Sequence, residues 1–381
     1  VSMSQGFKIE VNEGDVQGAL RDFLGRILER EEIRAVLTPL RLPYKGNVMQ
    51  TLVADRERLG AAEPLSPAYP LSGARILSRL TREEAGGRVA AVLRPCEIRA
   101  FVELIKLKQA SRQDLVLIGL DCPGAFSNDV FARASAEDEA GDLTRRFFRA
   151  AFAGEEDPAG YELAGACRAC EHVTPDAADV AVGLHGGDPE REIWVEARTE
   201  AGEALLADLG LPEATEPEGR SRTVKERVER AVQRREEMFD RTLQATGSVE
   251  KLTSYLASCV NCYNCRVACP VCYCRECVFG TDVFEHEPRQ YLNWADRKGA
   301  VKMPTDTVFY HLTRMAHMAA SCVGCGQCSN ACPNDIPVME LFRTVAHRVQ
   351  QGFDYEPGRS VEEPLPLAVF RENELAEVVG R

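Results

Sequence analysis

The chain predicts two unlike halves: an α/β front domain around a parallel, βαβ-containing sheet, and a helical ferredoxin-like iron–sulfur domain behind it. Three observations carry this. Residues 88–120 read as strand, helix, strand. Two runs of identical spacing, C-x2-C-x2-C-x3-C-P, lie in the last third. A long amphipathic helix separates the two regions.

Length and composition bound the rest. At 381 residues the chain has room for two or three domains. Lys and Arg number 46 against 59 Asp and Glu, so the net charge is −13. That excludes an ordinary nucleic-acid binder, which needs a basic face against phosphates. No apolar stretch approaches a membrane span. The segment from Val1 to Glu10 lacks the basic-then-apolar order of a signal peptide. A cytoplasmic location is expected.

Residues 1–85 mix helical pattern with loops; Phe23, Leu24, Ile27 and Leu28 repeat at helical spacing. Pro64, Pro67 and Pro70 impose an extended loop. Arg88–Leu93 and Leu115–Leu120 are short apolar runs suited to buried strands, and Glu97–Lys108 between them is helical. Such a crossover implies parallel strands. A helix is expected over Leu143–Phe152, with strands at Asp179–Leu184 and Ile193–Ala197. The front domain is thus residues 1–210. Residues 211–250 form a linker and the long helix, whose stripe is Val224, Val228, Ala231, Val232, Met238, Phe239 and Leu243. Its charges read as a solvated face. Residues 251–350 form the helical iron–sulfur domain, and 351–381 an extended tail, either a partner-binding strap or plain surface.

Of the 15 cysteines, 11 fall between Cys259 and Cys332. Cys259, Cys262, Cys265, Cys269-Pro270 is the first run; Cys322, Cys325, Cys328, Cys332-Pro333 is the second. This is the bacterial ferredoxin pattern for 4Fe–4S clusters. Three thiolates two residues apart wrap one face of a cubane, and the fourth reaches the other cluster. The expected ligand sets are Cys259, Cys262, Cys265 with Cys332, and Cys322, Cys325, Cys328 with Cys269. Fifty-two residues separate Cys269 from Cys322, too many for a compact β-type ferredoxin, so helices are expected around the motifs. Val308–Ala319 is one, with Val308, Leu312, Met315 and Ala319 on one apolar face; Val338–Val349 is another.

Cys272, Cys274 and Cys277 follow directly. They suggest a further metal centre, with His286 as a candidate fourth ligand. One could instead replace Cys269, or all could be unligated thiols.

Four cysteines are scattered through the front half. Cys96 follows the first strand of the βαβ unit and Cys122 the second, so both fall on one sheet edge, where open α/β sheets build sites. Cys167 and Cys170 add a pair. Two plus two can hold a cubane or zinc; iron is favoured because two iron–sulfur motifs follow.

Arg94-Pro-Cys-Glu-Ile-Arg, Ile118-Gly-Leu-Asp-Cys and Cys167-Arg-Ala-Cys, the last followed by Ala178-Asp-Val-Ala-Val-Gly183, resemble in order and spacing the beta-subunit family of coenzyme F420 (deazaflavin) hydrogenases and dehydrogenases. The paired ferredoxin motif resembles the formate dehydrogenase branch. The resemblance implies a 4Fe–4S cluster on Cys96, Cys122, Cys167 and Cys170 beside an FAD. It further implies hydride exchange with the deazaflavin and electron passage along clusters to a partner catalytic subunit; the carrier is expected to be a deazaflavin or NAD(P), and the partner a formate dehydrogenase, hydrogenase or heterodisulfide-reductase-type assembly. The family's glycine-rich flavin stretch has one weak counterpart, Lys45-Gly46-Asn47. A flavin-free relay is the alternative. No Ser/His/acid triad or Walker loop is evident, so no side-chain catalyst is nominated and the cofactors would carry the chemistry.

Overall fold

The computed structural model describes residues 6–44 and 47–369. The front half is a seven-stranded mixed sheet: β1 (Gly6–Glu10), β2 (Ile33–Arg41), β3 (Val48–Val53), β4 (Arg88–Leu93), β5 (Leu115–Leu120), β6 (Val180–Gly183) and β7 (Glu192–Ala197), in the order β1-β7-β6-β5-β4-β2-β3. The central four, β2, β4, β5 and β6, run parallel. At the edges β7 pairs antiparallel with β6, β1 antiparallel with β7, and β3 antiparallel with β2.

Strict alternation along the inner strands divides two cores. Ala90, Val92, Val116 and Ile118 face one side, beneath α1 (Val16–Leu28) and α7 (Glu200–Ala207). Val89, Ala91, Leu93, Leu115 and Leu117 face the other, beneath α2 (Gly73–Leu80) and α3 (Pro95–Lys106). Burial on both faces is why these strands read as unbroken apolar runs. β2 and β3 escape the sequence reading. Pro39 lies inside β2 and weakens the strand signal. It is tolerated because pairing with β4 ends at Leu37; beyond that the Ala62–Glu63 segment takes this side, Glu63 N donating to Pro39 O at 2.7 Å.

α4 (Asn128–Ala136), α5 (Leu143–Ala153) and α6 (Gly165–Arg168) cross between β5 and β6. The long helix α8 spans Arg220–Thr246. Its face is not wholly solvated, which corrects the sequence reading: Arg227 is half-buried, and Arg235 pairs with Glu171 at 2.9 Å. At its start the buried Arg220 bonds the buried Asp121, which also accepts from Leu184 N at 2.8 Å and His185 N at 3.0 Å.

The back half holds α9 (Val249–Tyr255), α10 (Asn264–Ala268), α11 (Pro288–Lys298), α12 (Thr307–Met318), α13 (Gln327–Asn330) and α14 (Val338–Gly352). It shares a core with the front: Val271, Met318 and Val323 pack with Leu93, Phe101 and Leu117. Gln327 Nε2 and Asn330 Nδ2 both donate to Tyr69 O, at 2.8 and 3.0 Å. After α14 the chain folds back onto α3. Tyr355 Oη and Gly358 N donate to the buried Glu103 Oε1 at 2.6 and 2.8 Å, and Arg99 Nε donates to Pro357 O at 3.0 Å. The start of the tail is thus an internal strap; residues 370–381 lie outside the description.

Candidate iron–sulfur site

The parallel strands deliver Cys96 and Cys122 to one edge. Pro95 opens α3 at its first turn, and Glu97 Oε2 accepts from Arg94 N at 2.9 Å, so Cys96 sits at the helix start just past β4. Cys122 follows β5, and its N–H bonds Val173 O at 2.9 Å, bringing in the segment that carries Cys167 and Cys170. All four line one cavity of about 100 Å3, together with Gly324 and Cys325 of the second ferredoxin run. Arg227, Arg230 and Arg234 of α8 line it too.

Burial dominates the cysteine chemistry here. It pushes the Cys122 thiol up to about 11, with Arg94 opposing, and Cys167 to about 12, with Cys122 and Cys170 adding to the rise. Bare thiols in such a pocket keep their protons; a metal centre, by supplying positive charge, converts them to thiolates.

The two ferredoxin runs have matching backbones. Asn261 and Gly324, at equivalent positions, have φ of 51° and 70°; Tyr263 and Gly326 have 63° and 79°. The left-handed turns wrap the loop so that successive cysteines face inward. Glycine takes that conformation freely, and Asn tolerates it. Tyr263 has no such licence and is held by edge-on packing with Tyr310, ring centroids 5.0 Å apart.

Cys259, Cys262, Cys265 and Cys332 line one small cavity. Burial pushes up Cys322, Cys325 and Cys328. Among neighbouring charges Cys269 comes first at Cys322 and Cys328, and second, after Cys96, at Cys325. The fourth cysteine of each run therefore lies with the first three of the other. Each set of four suits a 4Fe–4S cubane in donor chemistry and number.

The remaining cysteines are not gathered. Cys272 packs with the front core beside Cys269, Cys277 packs with Phe284 and Tyr263, and Cys274 is exposed. His286 stacks edge-on against Tyr291 and Trp294. Among the described residues, no three Cys, His, Asp or Glu side chains converge on a single-ion site.

The expected flavin loop is only partly described. Lys45 and Gly46 lie outside the described residues. Asn47 belongs to the hairpin joining β2 to β3, its carbonyl accepting from Leu42 N at 2.7 Å. The adjoining cavity, between β3, Tyr69 and Arg94, is about 20 Å3. That is space for about one water, so the residues there do not fit a flavin.

Sequence reasoning missed the inward face of α12. Leu312, on the expected apolar face, is exposed, and Val308 is half-buried. Tyr310, His311 and Arg314 are buried instead. Tyr310 Oη lies 3.4 Å from Cys265 Sγ, and His311 Nε2 lies 3.4 Å from Cys259 Sγ. Arg314 Nη1 donates to Cys265 Sγ and Nη2 to Cys265 O, both at 3.1 Å. Burial pushes the His311 imidazole down to about 4, with Arg314 adding to the fall. The available signal was three polar or aromatic residues on one helical face just ahead of a cysteine motif.

Comparison with known proteins agrees with this geometry. Residues 254–336 match the 4Fe-4S dicluster domain family. Residues 155–216, containing Cys167, Cys170, β6 and β7, match the family described as the C terminus of the coenzyme F420 hydrogenase/dehydrogenase beta subunit. The chain is 25% identical to the F420-dependent formate dehydrogenase subunit beta of Methanocaldococcus jannaschii, over 92% of this chain and 93% of that one. It is also 25% identical to the F420-dependent formate dehydrogenase 1 subunit beta of Methanococcus maripaludis, over 94% of each. A chain from the xenon-derivatised F420-reducing NiFe hydrogenase complex of Methanosarcina barkeri aligns with 65% of this chain and 94% of its own length, at TM-score 0.45 and 16% identity. Along nearly its whole length the chain is thus similar to F420-dependent formate dehydrogenase beta subunits, and residues 254–336 match a 4Fe–4S dicluster domain.

Proposed function

We propose that this chain is the electron-transfer beta subunit of a multisubunit oxidoreductase. It would pass electrons between a formate dehydrogenase, hydrogenase or heterodisulfide-reductase-type catalytic partner and a soluble carrier of the deazaflavin or NAD(P) class. Cys96, Cys122, Cys167 and Cys170 would hold one 4Fe–4S cluster, and the two ferredoxin-type sets one each. The single observation that carries this is continuity. Cys325 of the second run lines the cavity of the front set, and Cys328 of the second run packs against the apolar cluster that contains Cys265 of the first. The clusters would supply one-electron chemistry; the chain's own part is to hold them in line and exclude water. Among the described residues no helix is long and apolar enough to cross a membrane.

The middle set tests the relay. In anaerobically purified complex, Cys325→Ser should impair the middle cluster and stop carrier reduction. The EPR signals of the front and Cys259-side clusters should persist. Unimpaired electron transfer through that variant would sink the reading.

A second reading is favoured by the small 20 Å3 cavity between β3, Tyr69 and Arg94: a flavin-free relay whose carrier chemistry lies on another subunit. Flavin bands after acid release of the isolated chain would support the FAD-linked form. Their absence from a chain that still carries its clusters would support the relay.

A further inference from the structure

Arg314 is 4% exposed, yet among the described residues it has no carboxylate partner. Its Nε is buried without any hydrogen bond. Burying an uncompensated guanidinium costs several kcal/mol. Here the opposing charge comes from sulfur. Cys265 receives both terminal nitrogens, and the next sulfurs whose charge would act on Arg314 are Cys269 and Cys328. Cys265 belongs to one ferredoxin-type set, Cys269 and Cys328 to the other. The rings of Phe342 and Tyr310 lie 4.7 and 5.7 Å from the guanidinium carbon, walling it from water.

We propose that the Arg314 guanidinium is the shared counter-ion of the two ferredoxin-type clusters and raises the reduction potential of both, most at the cluster on Cys265. The proposal rests on the reading that these cysteine sets hold clusters. Each cluster gains one negative charge when it takes one electron, and a fixed buried cation stabilises that form over the oxidised one. Arg314 is a positioning residue in this sense: it acts through the cluster sulfurs and touches no carrier. The front set has its own half-buried cation, Arg94, on which Cys122 and Cys96 act. It should therefore be indifferent to Arg314.

The test is potentiometric titration of anaerobically purified full-length protein, with dithionite as electron donor and EPR as readout, beside an iron count. Arg314→Gln removes the charge but keeps an N–H donor; Arg314→Lys keeps the charge but loses the fork. R314Q should shift both ferredoxin-type potentials negative, more on the Cys265 side, and leave the front cluster in place. R314K should stay near wild type. Unchanged potentials in fully loaded R314Q, or an equal shift of all three clusters, would overturn the proposal. Should R314Q not load, R314K decides: a fall in its pair potentials would assign the effect to the hydrogen-bond fork and against the charge. Wild-type protein lacking the dicluster EPR signals would instead refute the underlying reading.

Discussion

Cys325, in the second ferredoxin run, and Cys96, at the start of α3, line the same cavity. The buried Tyr69 phenol stands with them, its Oη 3.5 Å from Cys96 Sγ, and the charges of Cys96 and then Cys325 add to the rise that its burial causes. The sheet half and the ferredoxin half therefore meet at their cysteines, and the contact between halves is also the junction of the proposed relay.

Iron content checks the three sets at once. Three cubanes require about 12 iron atoms per chain. Replacing Cys272, Cys274 and Cys277 together by Ser should leave that count unchanged, because each of the three sets has four cysteines without them. A loss of iron in the triple variant would reinstate a further centre.

Gly326 controls the docking of the second run. Its φ is +79°, and a Cβ there would stand 2.5 Å from Ala166 Cβ, beside Cys167. Gly326→Ala should cost about 1–3 kcal/mol through backbone strain and forced separation. Thermal denaturation of the loaded protein checks this. The front-cluster signal should broaden, while that of the Cys259 side is retained.

Asp121 anchors α8 to the sheet edge immediately before Cys122. Asp121→Ala would leave the buried Arg220 with the exposed Glu216, 3.5 Å from its Nε, as its remaining carboxylate, and two backbone N–H groups unpaired. The expected loss is about 3–5 kcal/mol. An Asp121→Ala, Arg220→Leu double variant should recover part of it, since that buried charge is then gone. Denaturant unfolding of both variants decides.

His185 makes stability fall in acid. It is 1% exposed, and its ring nitrogens have no hydrogen-bond partner. Burial holds its pKa down at about 4, Asp121 opposing and Arg227 and Arg220 assisting, from the usual 6.5. Between those values the unfolded chain binds a proton that the folded chain does not. Stability is therefore full above pH 6.5 and is lost as pH falls towards 4, by about 3 kcal/mol at roughly 1.4 kcal/mol per unit. His185→Leu should flatten that limb, read as Tm against pH. An unchanged slope would show that other groups set it.

Some of this was legible in residue order alone. Both ferredoxin runs, the parallel crossover of β4, α3 and β5, and the grouping of Cys96 with Cys122 follow from local rules: fixed ligand spacing, apolar runs buried on both faces, and strand direction. The tertiary structure decided what depends on neighbours far along the chain. β2 is hidden in the sequence because Pro39 is harmless only where β4 stops pairing. The apolar stripe of α12 misleads because it assumes an apolar neighbour, whereas the actual neighbour is a cysteine loop that draws Tyr310, His311 and Arg314 inward. The strap from Tyr355 to Gly358 is invisible in composition, since its partner Glu103 lies about 250 residues earlier. Spacing sets which thiols can share a cluster; only packing across the two halves sets which cations and phenols surround them, because those contacts join segments with no local relation in sequence.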